Sequence, residues 1–170
     1  MLDIRPYAPA DLEALRDARE GKIPPSVEQL AAASWTFSAV RPTGEIIGAG
    51  GLLRIDPWRA QAWAIVDRAA TVREFVEIRA ACLQKIRLAE MDGIHCIEAE
   101  VALPFVGGHA FIRGLGFVFA GVCPGRAEDG GCFIRYVRVK EGVERPPLRV
   151  EAVLDLAARC LHDDMARKAA

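Results

Sequence analysis

Seven short segments of the chain are rich in apolar residues and are bounded by turn-forming residues. Several alternate apolar and polar positions, and short segments of this kind are typical of β-strands. Three glycines lie inside the third segment, where glycine indicates a bulge or a close approach of two backbones. The predicted strands are residues 2–6, 35–40, 46–55, 61–66, 96–101, 117–123 and 132–139, and the glycines are Gly48, Gly50 and Gly51.

Apolar residues spaced three and four apart predict helices between these strands. The longest helix is predicted over residues 71–91, and Asp92-Gly93 ends it in the manner of a C-cap. Shorter helices are predicted after Pro9, from Ser26, and over residues 107–114. The predicted buried face of the longest helix consists of Val72, Phe75, Val76, Cys82, Leu83 and Ile86.

The order β-α-α-β-β-β-α-β-α-β-β predicts an α/β fold of the α+β kind, with a mixed sheet covered by helices. This domain covers residues 1–139. Residues 140–148 include two consecutive prolines and are predicted to form a stiff linker. Residues 149–170 have one apolar stripe at helical spacing and are predicted to form an extra C-terminal helix. That helix could pack back on the domain or against a second subunit, which would give a homodimer.

Length, charge and cysteine content narrow the class of protein. A chain of 170 residues can bury a sizeable single core, and its net charge of −1 gives no basic excess for nucleic acid. No apolar run is long enough for a signal sequence or a membrane span, so we expect a cytoplasmic protein without membrane contact. The five cysteines are widely spaced and lack the C-x-x-C spacing of a zinc site, so no metal is expected.

Four local motifs resemble the GNAT superfamily, the Gcn5-related N-acetyltransferases, over about residues 1–139. The first is the opening strand, residues 2–6, followed by Asp11-Leu12, and the second is the turn into the third strand, residues 44–49. Residues 62–66, leading into the long helix, resemble the fourth strand and third helix of that family. Leu115-Gly116-Phe117 resembles the end of the helix before the sixth strand and is the most specific match.

This resemblance implies the GNAT acyl-CoA N-acyltransferase fold and an acyl-CoA-dependent N-acetyltransferase. In the family, acyl-CoA lies where the fourth and fifth strands splay apart, and backbone groups of the fourth strand pair with the pantetheine arm. Those groups would belong here to Trp63, Ile65 and Val66. The resemblance therefore implies acetyl-CoA as cofactor and a small-molecule amine or a protein amine as acceptor.

The segment expected to bind the pyrophosphate departs from the family pattern. The family uses a glycine-rich loop, whose backbone N–H groups face the phosphates at the helix start. Residues 67–76 contain no glycine, and Thr71-Val72-Arg73-Glu74 matches a capping box that would occupy those N–H groups. Arg68 and Arg73, beside Thr71, could bind phosphate through their side chains instead.

The catalytic residues also differ. Many family members carry a tyrosine that protonates the leaving thiolate, and this position holds Ile112 here. The candidates for moving a proton are Asp67, just past the fourth strand, and His109, at the start of the helix after Gly107-Gly108. Glu98 and Glu100 share one face of the fifth strand and are predicted to be solvated or paired charges.

Two interpretations therefore stand side by side. In the first, the protein is an acyl-CoA-dependent N-acetyltransferase that acts on an unidentified amine. In the second, it is a catalytically degenerate GNAT-fold protein with a structural or partner-binding role, located in the virion if phage-encoded. The second rests on the glycine-free loop and the absent tyrosine, which resemble divergent phage-encoded GNAT-like proteins. A phage-type transferase that modifies nucleic acid is disfavoured by the net charge.

Overall fold

The computed structural model of the protein describes residues 1–15, 35–124 and 131–143. Within these residues the strands and helices follow the predicted order. The strands are β1 (Asp3–Arg5), β2 (Trp35–Val40), β3 (Ile46–Arg54), β4 (Arg59–Val66), β5 (Cys96–Ala102), β6 (Val118–Cys123) and β7 (Phe133–Val139). The helices are α1 (Asp11–Ala14), α2 (Val72–Met91) and α3 (Val106–Gly114).

The chain divides into two compact units, Met1–Glu98 and Ala99–Ala170. Strand β5 begins in the first unit and ends in the second. In the first unit the strand order is β1-β2-β3-β4-β5, with antiparallel neighbours except for the parallel pair β4–β5. In the second unit the order is β5-β7-β6, and β6 and β7 are antiparallel. The predicted mixed α/β architecture is confirmed.

Two of the glycines in β3 allow the close approach that their position predicts. Gly51 is paired with Thr36 of β2, and a Cβ atom added at Gly51 would lie 2.6 Å from the Thr36 Cα. A Cβ atom at Gly48 would lie 3.0 Å from Cδ1 of Ile78 on α2. Side chains at these positions would push β2 and α2 away from β3, so the glycines set how tightly this unit is packed.

The predicted buried face of the long helix is wrong in its N-terminal half. Val72, Phe75 and Val76 are exposed, with Val72 at 84% of its maximum, and the buried face runs from Ile78 to Ala89. Helix α2 packs against β2 and β3 through Ile78, which lies over Gly48. At about 100° per residue, Val76 lies roughly 160° around the axis from Ile78 and therefore faces away from the sheet. Cys82 and Ile86 are buried as predicted, and Leu83 is half-buried.

A buried carboxylate joins three elements of the first unit. Asp11 begins α1 and is 3% exposed. Its oxygens accept hydrogen bonds from Arg5 Nη2 at 2.6 Å, Ser38 Oγ at 2.6 Å and the Ala8 N–H at 2.9 Å. Burial alone would raise the pKa of the Asp11 carboxyl, but the bonds from Arg5, Ser38 and Ala8 lower it below its ordinary value. Asp11 thus ties β1, α1 and β2 together.

Several predictions lie outside the described residues. They are the helix beginning at Ser26, most of the linker 140–148 and the C-terminal helix 149–170. The four described cysteines, Cys82, Cys96, Cys123 and Cys132, are free thiols, and burial raises the pKa of Cys82 to about 12. None of the helices that the structure describes is both long and apolar enough to cross a membrane.

Candidate functional site

The candidate site in the first unit begins with the backbone of β4. Strand β4 pairs with β3 from Ala60 to Val66, and within the first unit it pairs with β5 from Arg59↔Cys96 to Gln61↔Glu98. Within the first unit, residues 62–66 therefore have a strand partner on one edge only. The predicted donor-binding residues Trp63, Ile65 and Val66 lie in this stretch. A free strand edge can bind an extended chain through its N–H and C=O groups.

In this stretch Ile65 is buried and the other four residues are half-buried. Ile65 belongs to a buried cluster with Leu12, Leu15, Ala49 and Leu53, and Trp63 packs against that cluster. The Trp63 ring meets Tyr7 edge-on, with ring centroids 5.5 Å apart and planes at 79°. The Ile65 side chain is thus held in the core, and the half-buried Trp63 side chain packs against it.

Asp67 shapes the loop that follows β4. Its N–H donates to the Ile47 carbonyl at 2.8 Å, and its carboxylate accepts the Ala69 N–H at 2.7 Å. Its carbonyl accepts the Ala70 N–H at 3.1 Å, which closes a turn before the helix. One carboxylate oxygen is therefore used for the turn. The role of Asp67 as a general base stays a prediction.

The predicted capping box at the start of α2 is present. Thr71 is the N-cap, and its hydroxyl oxygen accepts the Glu74 N–H at 3.3 Å. The Glu74 carboxylate in turn accepts the Thr71 N–H at 2.8 Å and the Thr71 hydroxyl at 2.9 Å. Two N–H groups at the helix start are therefore already bonded to the chain's own side chains.

Arg41 completes this arrangement, and no local pattern in the sequence predicts its part in it. Its Nε and Nη2 donate to the two oxygens of Glu74 at 2.7 and 3.0 Å, which makes a bidentate ion pair. Nη1 binds Glu45 at 2.6 Å, and Nη2 also donates to the Ala69 carbonyl at 3.1 Å. The bonds from Arg41, followed by that from the Thr71 N–H, lower the pKa of Glu74 to about 2. The hydrogen bond to Glu74, followed by that to Glu45, raises the pKa of Arg41.

These residues do not fit a diphosphate at the helix start. An ionised carboxylate lies where the phosphates would face the helix, and Arg41 is bound to that carboxylate rather than open to an anion. Arg73 points away from this arrangement, with its side chain 79% exposed and its Nε 3.4 Å from Glu77. Arg68 is exposed. Phosphate binding by Arg68, Thr71 and Arg73 remains a prediction, which the occupied helix start disfavours.

In the second unit, His109 lies in a chain of hydrogen bonds. Its Nε2 is 3.0 Å from the Leu103 carbonyl, and its Nδ1 is 3.0 Å from the Tyr136 hydroxyl. A carbonyl can only accept, so Nε2 carries the proton in the neutral ring and the Tyr136 hydroxyl donates to Nδ1. Tyr136 is 6% exposed, and burial raises the pKa of its phenol. Ile112, at the position where the family carries tyrosine, is buried.

The two glutamates of β5 are paired, as predicted. Glu98 lies 3.6 Å from Arg59, and Glu100 lies 3.0 Å from Arg135. No group of three or more His, Cys, Asp or Glu side chains in residues 1–15, 35–124 and 131–143 could hold a metal ion. Tyr136 and Arg41 were missed because each lies about thirty residues from its partner, and no local pattern signals such a contact.

Several solved structures share the fold of this chain. The chain matches Ard1 from Thermoplasma volcanium with a TM-score of 0.69 and 16% identity, over 81% of this chain and 97% of that one. It matches the ribosomal-protein-S18-alanine N-acetyltransferase of Escherichia coli with a TM-score of 0.62 and 18% identity, over 85% and 100%. A GNAT superfamily phosphinothricin acetyltransferase from Sinorhizobium meliloti, in complex with AcCoA, gives 0.63 and 18%, over 87% and 94%.

No protein-family model matches the sequence, and no curated protein matches it. At these identities the solved structures establish the fold alone. The chain therefore has the GNAT acyl-CoA N-acyltransferase fold, and its structural neighbours are N-acetyltransferases. The comparisons give no support to the resemblance to phage-encoded proteins.

Proposed function

We propose that this protein is an N-acyltransferase that moves an acetyl group from a thioester to an amine. The observation that carries the proposal is the edge of β4 over residues 62–66, which is free of a strand partner within the first unit of a GNAT-fold chain. An extended pantetheine arm has amide groups that can pair with such an edge. Trp63 and Ile65 support this use of the backbone because the Ile65 side chain is buried in the core cluster and the Trp63 side chain packs against it.

Acyl transfer to an amine needs a group that takes a proton from the amine nitrogen and a group that returns one to the thiolate. Asp67 is the candidate base in the first unit, since its carboxylate follows the β4 edge directly and only one of its bonds to the loop is made by the carboxylate. His109 is the candidate in the second unit. Its only nitrogen able to accept a proton is Nδ1, which is reached through Tyr136.

The acceptor is proposed to be an amine with an adjacent carbonyl or carboxylate. Among the structural neighbours, one is described as acetylating a ribosomal-protein alanine and another as a phosphinothricin acetyltransferase. Both descriptions name amines of the amino-acid type. We extend this acceptor class to the present chain only as a proposal, since the neighbours share the fold at low identity.

The test is release of free thiol from an acetyl thioester by the full chain, with amino acids and alanine-terminated peptides as acceptors. We expect amine-dependent release, and a fall in kcat of about a hundredfold or more for Asp67→Asn if Asp67 is the base. The Glu13→Gln variant removes an exposed carboxylate elsewhere in the same unit and serves as the matched control. A folded chain that releases no thiol with either acceptor class would refute the proposal.

Two observations favour a second candidate function, a GNAT-fold protein without catalytic activity and with a structural or partner-binding role. The start of α2 is filled by Glu74, and Ile112 replaces the usual proton donor. In that case no acetyl thioester stabilises the chain against heat, because only a ligand that binds the folded state raises the melting temperature. Thermal unfolding with and without acetyl-CoA therefore separates the two functions.

A further inference from the structure

The Glu74 carboxylate lies at the start of α2, and its negative charge affects which acyl donors the chain can use. We propose that the protein recognises its donor through the pantetheine arm on β4 and not through a diphosphate at the helix start. Donors that end before the nucleotide are then used about as well as acetyl-CoA. This inference rests on the proposed function, because it concerns the donor of that same reaction.

Both oxygens of the Glu74 carboxylate at the start of α2 are hydrogen-bonded within the chain. One oxygen of Glu74 accepts from Arg41 Nε, and the other accepts from Arg41 Nη2, the Thr71 N–H and the Thr71 hydroxyl. The Glu74 side chain is only 17% exposed although it lies on the first turn of the helix. An incoming phosphate would have to break four hydrogen bonds to reach the groups that this carboxylate holds.

The negative charge of Glu74 also disfavours a diphosphate at the start of α2. The pKa of Glu74 is lowered to about 2, so the carboxylate is ionised at any pH at which the protein works. A diphosphate brought to the same helix end would meet this negative charge at close range, and like charges disfavour each other. Arg41 cannot compensate while it remains paired, since its three guanidinium nitrogens are bonded to Glu74, Glu45 and the Ala69 carbonyl.

The β4 edge does not depend on the ion pair between Arg41 and Glu74. Residues 62–66 are held by β3 and by the core cluster under Ile65, whereas Arg41 and Glu74 join the end of β2 to the first turn of α2. Pantetheine recognition and diphosphate exclusion can therefore coexist in one chain, and they can be changed separately by mutation.

The direct test compares two donors on the unaltered full chain. We expect acetyl-CoA and S-acetylpantetheine to bind, by calorimetry, with dissociation constants within about threefold of each other, a difference well under one decade. Their kcat/KM values should agree as closely. ADP and inorganic pyrophosphate should neither bind nor inhibit at millimolar concentration. A preference for acetyl-CoA of about a hundredfold or more would overturn the inference.

The second test removes the internal anion. The Glu74→Ala variant removes the acceptor of two Arg41 hydrogen bonds and of the Thr71 N–H, so its affinity for acetyl-CoA should rise about tenfold through new charge-assisted bonds. Its affinity for S-acetylpantetheine should not change. The Glu74→Gln variant keeps a side chain that can still cap the helix and should gain less, which guards against a folding defect in Glu74→Ala.

The matched control is Glu45→Ala. It removes the other carboxylate that binds Arg41, at an exposed position, and leaves Glu74 in place. We expect its donor affinities to equal those of the wild type. If Glu45→Ala gains as much affinity for acetyl-CoA as Glu74→Ala does, the effect comes from total charge and the inference fails.

The outcomes separate this inference from the proposed function. Strong use of acetyl-CoA with weak use of S-acetylpantetheine would refute the inference and support the acyltransferase. Binding and turnover of neither donor would refute the acyltransferase, and the inference with it. Equal use of both donors, together with a gain confined to acetyl-CoA in Glu74→Ala, would support both.

Discussion

Replacement of Asp11 by alanine is expected to destabilise the first unit strongly. The carboxylate is 3% exposed and accepts three hydrogen bonds, from Arg5, Ser38 and the Ala8 N–H. In Asp11→Ala the Ser38 hydroxyl, which is 0% exposed, loses its acceptor in the core. An orphaned buried hydroxyl and a lost charge-assisted bond each cost about 1–3 kcal/mol, so we expect a loss of about 3 kcal/mol.

The contribution of Arg5 is counted at the low end of that range. Its side chain is 36% exposed, and solvent weakens an ion pair of this kind. A loss of about 3 kcal/mol is a large fraction of the ~5–15 kcal/mol that stabilises a typical domain, so the melting temperature should fall by roughly 6–12 °C. Denaturation by urea, followed by circular dichroism, measures the change in the free energy of unfolding directly.

The sign of the pH dependence follows from the lowered pKa of Asp11. The pKa of the unfolded carboxyl has its ordinary value of 3.8 and that of the folded carboxyl is lower, so its stabilisation is present above about pH 4 and is lost as the pH falls through the folded pKa. Asp11→Asn should lack this part of the acid transition. The exposed Asp3→Asn should behave like the wild type, and the reasoning is refuted if Asp11→Asn and Asp3→Asn have the same stability and the same pH profile.

Three further predictions concern other parts of the chain. Gly107→Ala should stabilise α3 by about 0.5–1 kcal/mol, since its added Cβ meets only the Phe105 ring at 3.6 Å. Gly108→Ala should destabilise α3, because its added Cβ would lie 2.4 Å from the same ring. Urea denaturation of the two variants tests both expectations. Tyr136→Phe should shift the His109 Nδ1 resonance in nitrogen NMR and, if the pair moves a proton in catalysis, lower kcat with little change in KM. Arg41→Ala should raise the pKa of Glu74 from about 2 toward its ordinary value of 4.5, as followed by carboxyl NMR, and an unchanged pKa would contradict the ion pair.

Most of the fold could be predicted from local patterns. The apolar segments that predict strands agree with β2 at both ends and with the other strands to within two residues, because alternation and turn residues lie in the strand itself. Thr71 and Glu74 fix the start of the long helix for the same reason. The buried face of that helix was not predictable in its first turns, since Val72 and Val76 are apolar yet face away from β3.

The site could be predicted only in part. Trp63, Ile65 and Val66 were placed on the correct strand, but the contacts of their backbone depend on how far β5 pairs with β4, which sequence does not state. The link from Tyr136 to His109 and that from Arg41 to Glu74 cross from one element to another. Such contacts are set by tertiary packing, and a residue's own neighbours in sequence carry no signal of them.

Residues 67–76 contain no glycine, so the sequence alone allows either phosphate binding by nearby arginines or no phosphate binding at the helix start. The contacts of Arg41 favour the second possibility. A glycine-free helix start can still hold phosphate if nearby arginines are open to it. Here Arg41 is bound to Glu74 by two hydrogen bonds, and the exposed Arg73 side chain lies beside Glu77. Two N–H groups at the helix start and both oxygens of Glu74 are therefore bonded within the chain. Within the first unit the edge of β4 over residues 62–66 has no strand partner, and this agrees with the proposed recognition of the donor through its pantetheine arm.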